Sequence, residues 1–132
     1  MTSKTFTRDS YYEYTDLDRI EVNIDELNTY IATYINDTIT AYSKYSVIRD
    51  NEWIPSEAEW EHIEDGMNDL AKYSGYPTGF SVILNYTAPF NWGYTDANRW
   101  EINLDLIDIQ NDALKTCGNF SCSEGDMIYG VR

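Results

Sequence analysis

The side chains in this sequence that could do chemistry are mainly carboxylates. Asp and Glu account for 23 of the 132 residues. Close pairs such as Glu64 with Asp65, or Asp105 with Asp108, have the residue types of a general acid and base or of a Mg²⁺ site. So many carboxylates form close pairs by chance, and carboxylates are also favoured near the start of a helix by its dipole. We therefore interpret them as parts of solvated helix faces.

The other reactive side chains are too few to build a metal or nucleophilic centre. The sequence has one histidine, His62, and two cysteines, Cys117 and Cys122. A structural zinc site takes about four such ligands, and no nucleophile-elbow, phosphate-loop or dinucleotide-binding glycine motif occurs. Cys117 and Cys122 could close a small disulfide loop, but without a secretory signal we expect free thiols. The sequence predicts a protein that is not an enzyme, with no metal and no cofactor.

The overall charge restricts the classes of partner. The net charge is −14 and the isoelectric point is near 4.1. Binding to nucleic acid or to an anionic membrane needs a basic face, so neither is expected. No apolar run approaches the length that crosses a bilayer, and the start of the chain lacks the apolar core of a signal peptide. We expect synthesis in the cytoplasm and no membrane insertion.

The elements that must position these side chains are indicated by a repeat. Residues 14–25 return as residues 94–105, with seven of the twelve positions identical: Tyr, Thr, Asp, Arg, Glu, Asn and Asp. A fainter third copy occupies residues 56–67. Repeats of this kind indicate one structural unit that is used several times. Here the unit is helical, which favours a scaffold over an active site.

The repeat leads to a predicted fold that is mainly α, a small bundle of three repeated helices. Thr15 and Thr95 are predicted N-caps, and Ser56 with Glu59 has the pattern of a capping box. Apolar residues follow each start at steps of three and four, the spacing of a helix face that packs on a core. Gly75, before Pro77, is expected to end the second helix.

These signals divide the chain into three parts. Residues 1–13 are expected to form an extended N-terminal arm, residues 14–118 the helical repeat domain, and residues 119–132 a C-terminal tail. The helices are predicted at about 15–42, 56–73 and 95–116. The β-branched and aromatic residues at 80–87 indicate a minor extended or β element.

The third helix has apolar residues on two faces. One face continues the repeat, whereas Ile102, Leu106 and Ile109 form a second line. A helix of this kind lies at the centre of a fold or in an interface. We expect the third helix to be the middle of the bundle and its second line to be a candidate partner interface.

The charged positions of the repeat suggest ion pairs between helices. Arg19 and Glu21 are two residues apart, so they cannot pair along one helix. We expect reciprocal pairs instead, Arg19 with Glu101 and Arg99 with Glu21. His62 occupies the arginine position of the middle copy and is interpreted as a pairing or surface residue. The residues assigned to packing and pairing by the repeat are Thr15, Arg19, Ile20, Glu21, Asn23, Ser56, Trp60, His62, Ile63, Glu64, Thr95, Arg99, Trp100, Glu101 and Asn103.

Aromatic residues precede the first and third helices in equivalent places. They could form a sugar-binding surface, or they could fill the grooves beside the helix starts; Tyr and Trp suit both roles because they combine contact area with a polar group. With Trp53 and the second line of the third helix they complete the candidate partner interface. Its aromatic members are Tyr11, Tyr12, Tyr14, Trp53, Trp92 and Tyr94.

Two of the repeat copies resemble segments of known virion proteins. Residues 17–24, Leu-Asp-Arg-Ile-Glu-Val-Asn-Ile, resemble the L-N-R-I-E-x-N helix segment of bacteriophage tail, baseplate and fibre-associated proteins, chiefly from phages of Gram-positive hosts. Residues 60–67, Trp-Glu-His-Ile-Glu-Asp-Gly-Met, are similar to an L-N-H-I-E-D-G-I segment of the same group. The motif covers about 40 residues over three copies. This chain departs from it at Asp18 and Glu61, which replace the Asn, and at Trp100, which replaces the Ile.

The resemblance implies a non-enzymatic virion structural protein. Such a protein would act as a small joint or adaptor in a tail, baseplate, collar or fibre attachment. Its partners would be other virion proteins and copies of itself around a symmetry axis, and its location would be the virion. The charge alone supports an alternative, an acidic DNA mimic that inhibits a host nucleic-acid enzyme. A weaker alternative is a carbohydrate-binding module for host recognition.

Overall fold

The structure is a computed structural model that describes residues 1–46, 49–50, 56–83 and 92–120, the last four without their side chains. Within these ranges three helices follow in order: α1 (Tyr14–Tyr34), α2 (Glu57–Ser74) and α3 (Tyr94–Phe120). Each helix packs on the other two. The predicted mainly α bundle of three repeated helices is confirmed.

Several predictions concern parts of the chain that are not described. Of the extended or β element expected at 80–87, residues 80–83 form no strand, and residues 84–87 lie outside the described residues. Trp53, the pairing of Cys117 with Cys122 and the tail from residue 121 also lie outside them.

The three helices begin in the same way at equivalent positions of the repeat. Glu13, Ser56 and Gly93 each place a carbonyl oxygen 2.9–3.3 Å from the amide nitrogens three and four residues later. The predicted cap Ser56 is confirmed, since its hydroxyl accepts a bond from the Glu59 amide. The predicted caps Thr15 and Thr95 are wrong, because each lies inside the first turn.

The physical reason is a carboxylate at the third helical position, which fixes the helix start two residues before each threonine. The Asp16 carboxylate accepts the Glu13 amide at 2.9 Å, and the Asp96 carboxylate accepts the Gly93 amide at 3.1 Å. In each case a side chain of the first helical turn accepts a hydrogen bond from the backbone amide at the helix start, which has no partner within the helix. The threonine hydroxyls are therefore not needed as caps.

Helix α1 ends well before residue 42. The Ile35 and Asn36 amides both bond the Ile31 carbonyl, at 2.9 and 2.8 Å, and this closes the helix. The Asn36 side chain then accepts the Thr38 amide at 3.0 Å, a local turn that competes with helix continuation. Helix α2 ends at Gly75, where φ is +82°, as the sequence predicts. Helix α3 continues past residue 116 to Phe120.

The core is built from the repeated apolar stripe. Most of its predicted members are buried in all three helices and form one cluster, whereas Tyr34 at the end of α1 is 52% exposed and Leu114 in α3 is half-buried. The buried members are Leu17, Ile20, Ile24, Leu27 and Ile31 in α1, Trp60, Ile63, Met67 and Leu70 in α2, and Trp100, Leu104 and Ile107 in α3. Three such faces meeting on one axis leave no helix in the middle. The prediction that the third helix is central is wrong, and its second apolar line lies at the surface.

Candidate functional site

The charged residues of the repeat form a ring of ion pairs around the bundle. The first pair joins α1 to α3. Arg19 donates to both oxygens of Glu101, with Nη1–Oε1 at 3.0 Å and Nη2–Oε2 at 2.5 Å. The Glu101 side chain is almost wholly buried. This is one of the two pairs predicted from the repeat, and it has the two-pronged geometry that makes Arg–carboxylate pairs strong.

The second pair joins α3 to α2. Arg99 donates to Glu64 through the same atoms, with Nη1–Oε1 at 2.7 Å and Nη2–Oε2 at 2.5 Å. The predicted partner of Arg99, Glu21, is therefore wrong. Two helices can exchange Arg–Glu pairs with each other. In a ring of three, each helix has one neighbour on one side and a different neighbour on the other, so its Arg and its Glu pair with different helices. Each arginine consequently reaches the glutamate of the preceding helix in the ring.

The third position of the ring is filled from outside the repeat. By symmetry His62 of α2 would face Glu21 of α1, but its Nε2 donates to the Ser43 carbonyl at 2.6 Å. Arg49, from the segment before α2, supplies the cation instead. Its Nη1 contacts Glu21 and Asp18, and its Nε donates to Glu59 at 2.6 Å. The Arg49 side chain is 2% exposed, so this is the most deeply buried cation of the ring.

Three short segments, which we name straps, are held across the ring. Strap 1 is residues 2–4, strap 2 is residues 43–45 and strap 3 is residues 81–83. The Thr2 carbonyl accepts bonds from Arg19 at 3.0 Å and from the Asn23 amide at 2.7 Å. The Lys4 amide then donates to Glu101 on the next helix at 3.1 Å. Residues two apart thus face the helices, which is the spacing of extended chain.

Strap 3 repeats these contacts on α3 and α2. The Ser81 carbonyl accepts bonds from Arg99 at 3.0 Å and from Asn103 at 2.7 Å, and its amide donates to Asn103 at 3.1 Å. The Ile83 amide donates to Glu64 at 3.2 Å. The buried asparagine of the repeat therefore pairs with the backbone of a strap, a role that its position in the sequence did not reveal.

Strap 2, residues 43–45, follows the same plan with two changes of residue type. His62 holds the Ser43 carbonyl, and the Tyr45 amide donates to Glu21 at 2.9 Å. The asparagine position is Gly66, and the Tyr42 ring occupies the space beside it. A Cβ on Gly66 would lie 2.5 Å from Tyr42 Cε1. Glycine in the middle of this helix is therefore explained by a close neighbour.

The electrostatics fit a structural use of these groups. Hydrogen bonding to Glu101 raises the pKa of Arg19. Burial alone would lower the pKa of Arg49, but hydrogen bonds to Asp18, Glu21 and Glu59 outweigh it and the pKa is raised. Burial, and then the Glu101 and Asp16 charges, raise the pKa of Tyr12 well above its usual value of 10.0. All three pKa values therefore move further from 7, whereas an acid or base that works near neutral pH needs a pKa close to 7.

The predicted aromatic interface is divided between the core and the surface. Tyr12 and Trp92 pack with Trp60 and Trp100, the Trp60 and Trp92 rings being stacked at 4.6 Å. Tyr14 is half-buried, whereas Tyr11 and Tyr94 are exposed beside a cleft of about 340 Å³. Of the two roles considered for these aromatic residues, Tyr12 and Trp92 have the second: they fill the grooves beside the helix starts.

Sequence reasoning missed Arg49 and the three straps. Arg49 lies outside the repeat, so nothing in the pattern marks it. The straps have a weak signal: Thr2, Ser43 and Ser81 stand 17, 19 and 18 residues before Arg19, His62 and Arg99. Each strap thus begins with a hydroxyl residue at nearly the same distance before the basic position of the repeat.

Within the described residues no group of three or more His, Cys, Asp or Glu side chains could hold a metal ion. No helix in that part of the chain is long and apolar enough to cross a membrane. No protein-family model matches the sequence, and no curated protein or solved structure is significantly similar to it.

Proposed function

We propose that this chain is a non-enzymatic structural protein of a bacteriophage virion. It would act as a small joint in a tail, baseplate, collar or fibre attachment, and it would contact other virion proteins and copies of itself. The proposal rests on one observation: the side chains of the virion-protein motif bond neighbouring helices and the backbone of the straps. The repeat side chains Arg19, Arg99, Glu64 and Glu101 hold helices and straps together, and this structural use of the motif supports a scaffold.

The acidic DNA mimic is the alternative that the charge supports. Five carboxylate residues, however, are buried inside the bundle: Asp16, Glu21, Glu59, Glu64 and Glu101. A mimic has to present carboxylates in rows toward a DNA-binding partner, and these five face inward. The burial of these five carboxylates therefore favours a scaffold, in which part of the negative charge serves to hold the bundle together.

Mass spectrometry of purified particles tests the proposal. We expect peptides of this chain in gradient-purified virions of the phage that encodes it, in a fixed ratio to other tail proteins through successive gradients. Particles from a phage whose start codon for this chain is destroyed are the control. Recovery of the chain only from the host lysate, bound to a nuclease or polymerase, would contradict the proposal and support the mimic.

A further inference from the structure

The outer face of α3 differs from the outer faces of its two equivalents. Ile102 and Ile109 are 53% and 68% exposed, and Leu106 lies half-buried between them. The repeat register gives the corresponding positions in the other helices, which are Val22, Glu26 and Thr29 in α1 and Asp65, Asp69 and Lys72 in α2. Because the three helices have the same place in the bundle, the five polar residues among these six show that folding does not require an apolar stripe there.

One border of this apolar stripe is the turn after α2. Leu106 Cδ1 lies 3.4 Å from the point that a Cβ on Gly79 would occupy. Tyr76, also in this turn, is mostly exposed, and its ring lies 6.4 Å from that of Phe80. The turn therefore adds apolar surface beside the stripe.

The other border is acidic. Asp105, Asp108 and Asp112 follow one another along α3 at steps of three and four residues. Asp105 accepts the Ser3 hydroxyl at 2.8 Å and Asp112 accepts the Tyr30 hydroxyl at 2.9 Å, both neutral donors. Burial, then the Asp112 and Asp105 charges, raise the pKa of Asp108, and the α-amino group of residue 1 offsets this in part. In the described part of the chain no side-chain cation pairs with the three carboxylates.

We propose that this α3 face, Ile102, Leu106 and Ile109 with the row Asp105, Asp108 and Asp112, docks an amphipathic helix of another protein. The docked helix has an apolar stripe bordered by Lys or Arg. The spacing i, i+4, i+7 suits helix-against-helix docking. A second copy of this chain would bring the same acidic row and a net charge of −14, so charge repulsion disfavours it. The inference rests on the proposed role as a joint.

Two synthetic helical peptides with the same leucine stripe test the proposal by isothermal titration calorimetry. One peptide carries a Lys border and the other a Glu border. We expect the full chain to bind the Lys peptide, more weakly as salt rises, and to show no binding of the Glu peptide. The Ile102→Ser/Ile109→Ser variant should weaken binding at least about tenfold. The matched control is Val22→Ser, at the equivalent position of α1 and also 50% exposed, which should not change it.

Binding of neither peptide, equal binding of both, or an equal loss in Val22→Ser would overturn the proposal. A dimer of the full chain in sedimentation that Ile102→Ser/Ile109→Ser dissociates would also overturn it, because the occupant would then be a second copy. The two proposals fail separately. A chain present in particles that binds neither peptide contradicts only the docking surface, whereas absence from particles contradicts the virion role.

Discussion

The Arg49→Met variant is expected to lose about 3–5 kcal/mol of unfolding free energy, the usual cost of removing one partner from a buried ion pair. The Arg49 side chain is 2% exposed and contacts the side chains of two carboxylates that are no more exposed, Glu21 and Glu59. The substitution leaves both without this cation in a place where water cannot replace it. Urea unfolding monitored by circular dichroism measures the loss.

Lys44→Met is the matched control for Arg49→Met. The Lys44 ammonium is 56% exposed and lies 3.7 Å from Asp18, a carboxylate that Arg49 also contacts. An exposed pair of this kind contributes about 0–1 kcal/mol. Adding Glu21→Gln and Glu59→Gln to Arg49→Met should recover part of the loss, because the buried charges are removed with their cation. Equal losses for Arg49→Met and Lys44→Met would show that the buried cation does not matter.

The Trp100→Ala variant is expected to lose about 3–5 kcal/mol, the range for truncating a large aromatic residue in a core. Trp100 is fully buried and its ring lies 4.9 Å from Trp92 and 5.5 Å from Trp60. It occupies the position of Ile20 and Ile63 in the other helices, so the core has adapted to one large side chain. Chemical unfolding gives the free energy, and near-ultraviolet circular dichroism reports the loss of ordered indole packing.

Trp100→Phe and Tyr11→Ala bracket the Trp100 result. Within the described part of the chain the Trp100 indole nitrogen has no hydrogen-bond partner. Phe keeps most of the ring and removes that unpaired donor, so its loss should be clearly smaller than that of Ala. Tyr11 is 86% exposed and Tyr11→Ala should stay within about 0.5 kcal/mol of the wild type. A loss below about 1 kcal/mol for Trp100→Ala would contradict a core centred on this residue.

Local signals in the sequence were enough to place the three helices. The Ser56 cap, the Gly75 stop and the apolar stripe act within a few residues, and the structure has each of them. The pattern predicts Thr15 and Thr95 as caps because Thr is a common N-cap residue, but a first-turn Asp bonds the amide two residues before each threonine and sets the helix start there. The end of α1 was predicted too late, because the turn at Asn36 depends on one side chain folding back on the backbone.

The arrangement of the ring was only partly available from the sequence. The two clear copies of the repeat indicated that Arg and Glu pair between helices, and Arg19 with Glu101 is confirmed. Two copies alone suggest reciprocity, however, and the cyclic order appears only when the faint third copy is given equal weight. Arg49 was not predictable, since it substitutes for His62 from a segment with no repeat signal. The straps depend on contacts between residues far apart in the chain.

A double-mutant cycle between Arg49→Met and His62→Arg tests most directly whether the three helices are equivalent members of one ring. In the wild-type background His62→Arg puts a second cation beside Glu21 and should be neutral or destabilising. In the Arg49→Met background the same substitution should restore the cation from the repeat's own position and raise the unfolding free energy. We predict a coupling of at least about 1 kcal/mol between the two changes. An identical effect of His62→Arg in both backgrounds would contradict the three-fold arrangement.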